Sequence, residues 1–546
     1  MSSKYIVVIG GVISGIGKGL SGAAIGYLLS LRNHKVIAIK MDGYYNTNAG
    51  VLAPREHGEV FLCEDGSETD LDLGHYERII GIEVSKKNIL TNGSLQREMR
   101  EGEEAGKYLG QTIQVVPHLT DKIQEKMLDL GKEADIVIVE IGGTVGDIEG
   151  QAYLEAARQF KQKYSQDVII MLVAPILWIE TIKEFKTKPL QQSVKMLQSF
   201  GLTPEILICR PLNVGVKEMP LTILDKIAHL TNVPRDAIFD APDVKTIYQV
   251  PIEFYNRSID AFIIDRFGLK RVLCRIQKYR DMVEKYIKNT ELPTVNIGIV
   301  GKYDNCDEAY LSLKEALYHA GVSKEAKVVI RWISADELEL AKDMRGVWKH
   351  FEGIDGIIVP GGFDSRGVEG KIRAIRYVRE KKIPFLGICL GLQCAVIEVA
   401  RNLLEMPAAN STEFCKDTIV PVIHFVEGQA GITNKVGTMR LGAYDCDLVK
   451  DSLVAELYKK KTISERHRHR YEVNSEYVAA LEKVGLKVSG VNPQSNLVEM
   501  MELDKGIHPY FVGTQAHPEF KSRLGAPAPL FDGLIAAALA SKVTST

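Results

Sequence analysis

Short apolar runs, each about the length of a buried strand, alternate along the chain with longer stretches of helical periodicity. This alternation is typical of parallel β-sheets whose strands are connected by helices. The runs predicted as strands are residues 5–9, 36–39, 136–139, 168–173 and 206–208 in the first half, and 295–300, 328–330, 356–359 and 384–387 in the second. The pattern therefore predicts an α/β protein with two doubly wound parallel-sheet domains.

A segment rich in Lys, Arg and Glu separates the two groups of predicted strands. It covers residues 267–294 and contains no strand pattern, so we interpret it as a mostly helical linker. The predicted domains are therefore residues 1–266 and 295–546. A chain of 546 residues is too long for one hydrophobic core, which also favours two domains.

Composition narrows the possible functions. The net charge of −2 gives no electrostatic reason to expect binding to nucleic acid or to a membrane surface. No apolar run approaches the roughly 18 residues of a membrane span. Because a predicted strand begins at residue 5, we expect no signal peptide. The eight cysteines are scattered singly, which indicates neither disulfides nor zinc. We expect a reduced, cytoplasmic protein.

One cysteine lies in a turn that is typical of nucleophiles. Gly387-Ile388-Cys389-Leu390-Gly391 separates a predicted strand from a predicted helix, which matches the nucleophile-elbow pattern with Cys in place of Ser. Such a turn exposes the sulfur at the carboxyl end of the sheet. It also directs the N–H of Leu390 towards an oxyanion formed by attack of that sulfur.

The remaining parts of a catalytic triad lie further along the chain, in His517-Pro518-Glu519. His517 is the candidate base, and Glu519 is the candidate group that orients it. A second oxyanion donor is expected from the diglycine loop after the strand 356–359, at the amide of Gly362. The alternative is that Cys389 is a buried core thiol and His517 a surface histidine. The combination of elbow, diglycine loop and His-Pro-Glu favours the triad.

The second half of the chain resembles the class I glutamine amidotransferases in the segments 360–363, 386–393 and 517–519. The resemblance covers roughly residues 295–540. It implies a Rossmann-like glutaminase in which the cysteine forms a thioester with glutamine and releases ammonia. Such a glutaminase supplies a synthase, which we expect in the first half.

A glycine-rich loop follows the first predicted strand and leads into a helix. Gly17-Lys18 fits part of a P-loop, but Val12 stands where the first glycine is required and Gly19 where the Ser/Thr is required. The glycines 17, 19 and 22, with Asp42 downstream, also fit a dinucleotide fingerprint. The loop alone leaves three interpretations open, which are a triphosphate site, a dinucleotide site and a structural turn.

Acidic residues further along favour the triphosphate. Glu140 ends an apolar strand, where a magnesium-binding carboxylate is expected, and Asp72 offers a second acid. Both supply the hard oxygen ligands that Mg²⁺ prefers. The alternative for each is a solvated loop acid.

Nearly the whole chain resembles the CTP synthases. The residues that carry this resemblance are segments 10–20, 57–60, 69–78, 140–149, 186–189, 410–414 and 465–474, in the family's order. The resemblance implies a P-loop-like amidoligase that uses ATP to phosphorylate O4 of UTP. Ammonia from the glutaminase then displaces the phosphate and gives CTP, as a step of pyrimidine biosynthesis.

The resemblance also implies roles for individual residues. The implied ATP contacts are Gly15, Ile16, Gly17, Lys18, Gly19, Leu20, Lys40 and Asp72, and the implied magnesium ligands are Asp72 and Glu140. The implied UTP and CTP contacts are Ser14, Asp147, Ile148, Glu149, Lys186, Lys188, Gln191 and Lys226. The implied glutamine contacts are Gly362, Leu390, Gln393, Glu413 and Arg470.

Regulation and assembly are further implications of the resemblance. It implies allosteric activation by GTP near Phe363 and Arg366, feedback inhibition by CTP, and His57 near the route of ammonia. It also implies a homotetramer that is a dimer of dimers, and some members of the family form filaments. Two rival functions are an ATP-dependent amidotransferase with a carboxylate acceptor and a filament-forming scaffold without catalysis.

Three places depart from the family pattern. Gly15 stands where the family usually has Ser, and Gly43 replaces a proline. Residues 176–185, which precede the predicted pyrimidine site, are bulkier and more apolar than the family's segment. These departures concern nucleotide selectivity, feedback by CTP and contacts between subunits.

Overall fold

The computed structural model describes residues 3–50, 52–212, 219–289, 291–302, 307–363, 365–425 and 439–545. The chain divides into two compact units. Unit 1 comprises Met1–Val51 and Thr69–Ile287, and unit 2 comprises Leu52–Glu68 and Lys288–Thr546. A short segment from the first half of the sequence therefore belongs to the second unit. The domain boundaries expected from the sequence, at 266 and 294, stay predictions.

The β-strands are numbered in chain order. The first ten are β1 (Lys4–Gly10), β2 (Val36–Asp42), β3 (Phe61–Leu62), β4 (Glu68–Thr69), β5 (Ile89–Thr91), β6 (Ile136–Ile141), β7 (Val168–Ile179), β8 (Glu184–Lys186), β9 (Ile206–Leu212) and β10 (Ile238–Asp240). The others are β11 (Thr294–Gly301), β12 (Lys327–Ser334), β13 (Gly356–Val359), β14 (Phe385–Ile388), β15 (Ala409–Ser411), β16 (Val420–Phe425), β17 (Arg440–Leu448), β18 (Thr462–His469), β19 (Tyr471–Val473), β20 (Leu486–Val491), β21 (Val498–Leu503) and β22 (Phe511–Thr514).

The α-helices connect these strands. The first eleven are α1 (Lys18–Ser30), α2 (Pro54–His57), α3 (Leu71–Ile80), α4 (Asn92–Glu104), α5 (Thr120–Gly131), α6 (Gln151–Lys163), α7 (Lys188–Ser199), α8 (Leu221–Thr231), α9 (Val250–Asn256), α10 (Ile259–Arg266) and α11 (Gln277–Lys288). The others are α12 (Leu311–Ser323), α13 (Ala335–Leu340), α14 (Met344–Trp348), α15 (Val368–Lys381), α16 (Leu390–Asn402), α17 (Leu453–Tyr458), α18 (Ser475–Lys483) and α19 (Pro529–Ser545).

Unit 1 is built on a parallel sheet with the strand order β10-β9-β7-β1-β6-β2-β5. Its central strands are continuous apolar runs because helices cover both faces. Helices α5, α6 and α7 contribute to the core on one face, and α1 packs with α3 and α9 elsewhere in the unit. The carboxyl ends of β6, β1 and β7 are neighbours, so the loops that follow these strands meet at one edge.

Unit 2 contains a sheet with the order β12-β11-β13-β14-β22-β21-β20-β17-β18. The strands from β12 to β22 are parallel, and the strands beyond β22 pair antiparallel. The predicted class of two α/β domains is confirmed. The antiparallel part was not predicted, because the apolar pattern of its strands does not reveal their direction.

Segment 52–68 is held in unit 2 by charged side chains. Glu59 accepts hydrogen bonds from the N–H and the hydroxyl of Ser312, with the first at 2.8 Å. Glu64 pairs with Arg466 at 2.8 Å and with Lys521 at 2.6 Å. Ionic contacts of this kind, between residues far apart in the chain, are not visible in a sequence pattern. Among the residues that the structure describes, no helix has both the length and the apolar character that crossing a bilayer requires.

Candidate active sites

The turn between β14 and α16 places Cys389 at the start of a helix. Cys389 has φ 52° and ψ −104°, a strained conformation for a residue with a side chain. The elbow also requires its glycines. A Cβ on Gly387 would lie 2.7 Å from the carbonyl carbon of Gly391, and a Cβ on Gly391 would lie 2.1 Å from the carbonyl oxygen of Val359. The tight turn places Cys389 at the carboxyl end of the sheet, where it is buried and lines a cavity.

His517 and Glu519 meet in the short turn that follows β22. The Nδ1 of His517 lies 2.7 Å from Oε1 of Glu519, and both residues are buried. Burial alone would lower the pKa of His517. The charges of Glu519 and Cys389 outweigh burial and raise that pKa to about 10. A protonated imidazole beside the sulfur stabilises the thiolate, which is the reactive form of cysteine.

One cavity of about 200 Å³ brings the candidate triad and the diglycine loop together. Its lining includes Cys389, His517, Glu519, Pro360, Gly361, Gly362, Phe363, Lys302 and Arg468, together with Pro54 and Val60 of segment 52–68. His57 lies between these last two residues in sequence and is exposed. The guanidinium of Arg468 lies over the Phe363 ring, with its carbon 5.0 Å from the ring centroid. Arg366 donates a hydrogen bond to the carbonyl of Lys302 at 3.1 Å.

The other predicted glutamine contacts lie around Tyr471. Gln393 donates a hydrogen bond to the carbonyl of Tyr471 at 2.9 Å, and the charges of Glu413 and Arg470 both act on the Tyr471 phenol. Gln393, Glu413 and Arg470 do not line the described part of the cavity that holds the triad.

Gln515 is a neighbour of the sulfur that sequence reasoning missed. Its Nε2 lies 3.7 Å from Sγ of Cys389, and its Oε1 accepts a hydrogen bond from Gln393 at 3.3 Å. Gln515 lies two residues before His517, on the same segment after β22. Its position there was the available signal.

In unit 1, two positions of the glycine-rich loop after β1 adopt a backbone conformation that favours glycine. Gly15 and Gly17 have φ values of 69° and 84°, a region that disfavours other residues. This conformation explains why glycine suits position 15, although the family usually has Ser there. The ammonium of Lys18 donates to the carbonyl of Gly143 at 2.7 Å, which links the loop to the segment after β6.

Gly19 explains the departure from the P-loop pattern. A Cβ at this position would lie 2.7 Å from Oδ1 of Asp72 and 3.1 Å from Oε2 of Glu140. The two acids therefore occupy the space that a Ser or Thr side chain would need. The carboxylates lie beside the glycine-rich loop in place of the missing hydroxyl.

Lys40 forms ion pairs with four acidic side chains of this region. Its ammonium pairs with Asp72, with Glu140 at 3.1 Å, with Asp70 at 3.7 Å and with Asp42 at 3.8 Å. Burial acts to lower the pKa of Lys40, but the four carboxyl groups outweigh it and raise that pKa well above its ordinary value. Lys40 therefore stays cationic.

The acids fit a magnesium ion that is shared with a nucleotide. Burial raises the pKa of Glu140, and Tyr76 donates a hydrogen bond to its Oε2 at 2.9 Å, so this carboxyl is oriented before any ligand binds. In the described ranges, no group of three or more His, Cys, Asp or Glu is placed to hold a metal ion by itself. Mg²⁺ commonly takes one or two carboxylates and completes its shell with phosphate oxygens and water. Asp72 and Glu140 suit that arrangement.

The predicted pyrimidine residues are spread over several segments of unit 1. Ser14 follows β1, and residues 147–149 follow β6. Lys186 ends β8, Lys188 and Gln191 lie in α7, and Lys226 lies in α8, after β9. Asp147 accepts hydrogen bonds from the N–H and hydroxyl of Thr144 at 2.6 and 2.7 Å. Gln191 donates to the hydroxyl of Thr187 at 2.9 Å, and Lys186 pairs with Glu184 at 2.7 Å. The exposed residues of the set are Ser14, Ile148, Glu149, Lys188 and Lys226. These hydrogen bonds and ion pairs are local to each segment.

The two other departures have local structural consequences. Glu149 comes so close to Gly43 that a Cβ on Gly43 would lie 2.7 Å from the Cβ of Glu149. Residues 176–185 form the end of β7 and most of β8, which pairs antiparallel with β7. Trp178 packs against Phe185 in this hairpin, with ring centroids 4.8 Å apart. The apolar residues therefore build an extension of the sheet.

Beside the glycine-rich loop lies a second cavity that sequence reasoning missed. It has a volume of about 50 Å³ and is lined by Ile16, Gly17, Leu20, Ser21, Arg210, Ala241, Pro242, Val244, Val250, Glu253 and Phe254. These residues come from separate parts of unit 1, so no local motif marks them.

Two family models match the chain. Residues 4–269 match the family described as CTP synthase N-terminus, and residues 306–537 match the family described as class-I glutamine amidotransferase. The two matches fall on the two halves that carry the sites described above.

The relatives that match this chain do so over nearly their whole length. A protein named CTP synthase from Methanocaldococcus jannaschii is 47% identical over 545 residues, which cover 99% of each chain. One of that name from Caldanaerobacter subterraneus is 46% identical over 548 residues, which cover 100% of this chain and 99% of the other. A solved glutaminase domain of Trypanosoma brucei CTPS with bound acivicin is 38% identical and covers 45% of this chain and 94% of that one, with a TM-score of 0.42.

Proposed function

Since this chain belongs to the CTP synthase family, whose members use ATP to aminate UTP with nitrogen from glutamine, we propose how its two units divide that reaction. Unit 2 releases ammonia from glutamine. Unit 1 phosphorylates O4 of UTP and lets ammonia displace the phosphate, which gives CTP. The observation that carries the proposal is the hydrogen bond between His517 and Glu519 beside Cys389, in one cavity with the diglycine loop.

In unit 2, the Cys389 thiolate attacks the amide carbon of glutamine. The N–H groups of Gly362 and Leu390 receive the negative charge that develops on the carbonyl oxygen. The His517 imidazolium then gives its proton to the departing ammonia, and a thioester to Cys389 remains. Neutral His517 next removes a proton from water, which hydrolyses the thioester to glutamate. Glu519 holds the ring in position and stabilises its cation.

The amino acid part of glutamine is assigned to the group around Tyr471. Glu413 suits the substrate ammonium, and Arg470 suits its carboxylate. Both charges act on the Tyr471 phenol, which supports their assignment to one region of unit 2. Gln393 holds the backbone of Tyr471 in place.

In unit 1, the loop from Gly15 to Leu20 and the ammonium of Lys18 bind ATP phosphates. Lys40 neutralises charge on the transferring phosphoryl group, because it is buried and stays cationic. Asp72 and Glu140 would hold Mg²⁺, which when bound offsets the charge of the phosphate oxygens. The adenine base is assigned to the region of the small cavity beside Ile16 and Leu20, where Phe254 and Val244 offer apolar surface to one edge of the ring; at about 50 Å³ the cavity does not enclose the whole base.

The pyrimidine nucleotide is assigned to the loops after β1 and β6, together with β8 and the helices α7 and α8. Lys186, Lys188 and Lys226 supply cations for its triphosphate, and Ser14 and Gln191 supply hydrogen-bonding groups. Asp147, Ile148 and Glu149 lie at the neighbouring strand end and are assigned to the same nucleotide, bound as UTP or as the inhibitor CTP. Support comes from the shared sheet edge.

Regulation and assembly are proposed on the same basis. GTP is assigned to the surroundings of Phe363 and Arg366, where Arg468 already stacks on the Phe363 ring. A homotetramer, arranged as a dimer of dimers, is supported by apolar side chains exposed on unit 1, namely Leu109, Val115, Val116 and Ile148. Filaments stay a prediction. A reducing, cytoplasmic location suits a catalytic thiol.

The test is conversion of UTP to CTP, followed by absorbance, with either glutamine or ammonia as the nitrogen source and with or without GTP. We expect ATP-dependent CTP formation with both sources, and faster use of glutamine when GTP is present. UTP should also elicit ATP hydrolysis in the presence of ammonia. Absence of any UTP-dependent turnover would contradict the proposal and favour a carboxylate acceptor or a non-catalytic role.

A further inference from the structure

A buried lysine lies beneath the diglycine loop of unit 2. Lys371, in helix α15, has an exposed fraction of 0%. Its ammonium donates a hydrogen bond to the carbonyl of Pro360 at 3.3 Å. Removing an ammonium from water is costly unless hydrogen bonds replace the lost hydration, so this position is not one that packing alone would favour.

A second lysine holds the other end of the same loop. The ammonium of Lys302 donates to the carbonyl of Phe363 at 2.6 Å, and only 8% of this residue is exposed. Tyr310 fixes the backbone of Lys302, whose N–H donates to the Tyr310 hydroxyl at 3.2 Å. Charged donors therefore hold the first and last carbonyls of Pro360-Gly361-Gly362-Phe363.

The loop between these carbonyls lies directly against the reacting groups. A Cβ on Gly361 would lie 2.7 Å from Cε1 of His517 and 3.6 Å from Cβ of Cys389. A Cβ on Gly362 would lie 3.7 Å from Nζ of Lys371. The lysine ammonium is thus next to the glycine whose N–H is proposed to receive the oxyanion.

Two adjacent glycines have the greatest backbone freedom of any dipeptide. In a trans peptide the N–H points opposite to the C=O, so the bond from Lys371 to the Pro360 carbonyl fixes the direction of the Gly361 N–H. The next peptide, between Gly361 and Gly362, carries the proposed oxyanion donor. A loop released from the lysines could turn a carbonyl towards the oxyanion, which would repel it. Donors that are fixed beforehand are what stabilises such a charge.

We propose that Lys371, together with Lys302, is a positioning residue that keeps the diglycine loop in the orientation that presents N–H groups to the oxyanion. The inference rests on the proposed glutaminase function of unit 2. Lys371 acts through the loop and not on the thiol or the substrate. Its loss should therefore slow the chemical step of glutamine hydrolysis and leave the reactivity of Cys389 intact.

The test uses the full-length Lys371→Met variant, which keeps most of the side-chain volume and removes the donor. We expect kcat for glutamine hydrolysis to fall about 10- to 100-fold, with KM changed less than about 3-fold, because a transition-state interaction is lost. Ammonia-dependent CTP formation should be unchanged. Alkylation of Cys389 by iodoacetamide, measured by mass spectrometry of its peptide, should also be unchanged, since this reaction forms no oxyanion. Lys381→Met, at the exposed end of the same helix, is the matched control.

Two results would overturn the inference. One is a kcat for Lys371→Met within about 2-fold of the unmodified enzyme; the other is an equal loss of alkylation, which would place the effect on the sulfur. If Lys371→Met does not fold, Lys302→Met must give the same separation of hydrolysis from alkylation, assayed without GTP, and its failure to do so is equally decisive. An unmodified enzyme that is alkylated yet hydrolyses no glutamine would instead contradict the proposed function.

Discussion

The charged groups of the two candidate sites are balanced in opposite ways. In unit 2, Glu519 pairs with His517, and both neighbours of the imidazole favour its cation, so the chain supplies its own counter-charges. In unit 1, four carboxyl groups converge on Lys40. Burial raises the pKa of Asp42, of Asp70 and of Glu140 there. This difference is what the proposed roles require, since a thiol site needs its own counter-charge, whereas the carboxylates are proposed to act together with a bound cation and phosphates.

The largest expected effect comes from a substitution that disables the thiol site of unit 2 and leaves unit 1 intact. Cys389→Ala should reduce glutamine-dependent CTP formation by at least about 10⁴-fold, because the nucleophile is lost. Synthesis from ammonia should stay within about 2-fold, since unit 1 is untouched. Parallel absorbance assays with the two nitrogen sources measure both. Cys415→Ala, which removes an exposed thiol, is the control, and equal loss of both activities in a folded Cys389→Ala protein would argue against two separate sites.

A change in the other site should affect both nitrogen sources. Lys18→Ala should lower CTP formation from glutamine and from ammonia by about 10³-fold, because the ammonium that binds phosphate is lost. Alkylation of Cys389 should continue at its ordinary rate. Lys163→Ala, at an exposed position of α6, serves as the control. Retained synthesis from ammonia would show that the loop does not bind the phosphates.

A third change tests the internal counter-charge. Glu519→Gln should lower kcat/KM for glutamine hydrolysis by about 100-fold and lower the pKa of His517 from about 10. The fall in activity at high pH reports loss of the imidazolium proton, so it should move to lower pH. A profile of kcat/KM against pH measures the shift, with Glu456→Gln as a surface control.

The same pair has a consequence for stability. The pKa of His517 is raised in the folded protein, so the stability gained from Glu519 is fully present below the ordinary pKa of histidine and is lost as the pH rises through about 10. If the fall of kcat/KM at high pH is the same in Glu519→Gln as in the unmodified enzyme, a group other than His517 causes that fall.

The smallest expected effect concerns the hairpin of β7 and β8. Trp178→Ala should destabilise unit 1 by about 1–2 kcal/mol, because it removes a half-buried ring packed on Phe185. The temperature at which ammonia-dependent synthesis is lost should fall by a few degrees. Trp348→Ala, in unit 2, should leave that temperature unchanged. Loss of glutamine hydrolysis in Trp178→Ala would contradict the expectation that a change in unit 1 leaves the activity of unit 2 intact.

The sequence predicted those features that are encoded locally. The elbow at Cys389 requires glycines two residues before and after it, and Gly19 marks the place where acids replace a hydroxyl. Gln515 and Lys371 were missed because their positions depend on contacts with residues far away in the chain. Strand direction beyond β22 was missed for the same reason, since an alternating apolar pattern is similar in parallel and antiparallel strands.

Segment 52–68 also bears on how this enzyme can be taken apart. Glu64 and Glu68 are the partners of Arg466 and Arg468, and only 1% of the Arg466 side chain is exposed. A glutaminase half that is excised at the linker would lack these acids, so Arg466 and Arg468 would lose these ion-pair partners. Modular exchange of halves between relatives would therefore have to carry this short stretch with the glutaminase, although the order of the gene places it with the synthase.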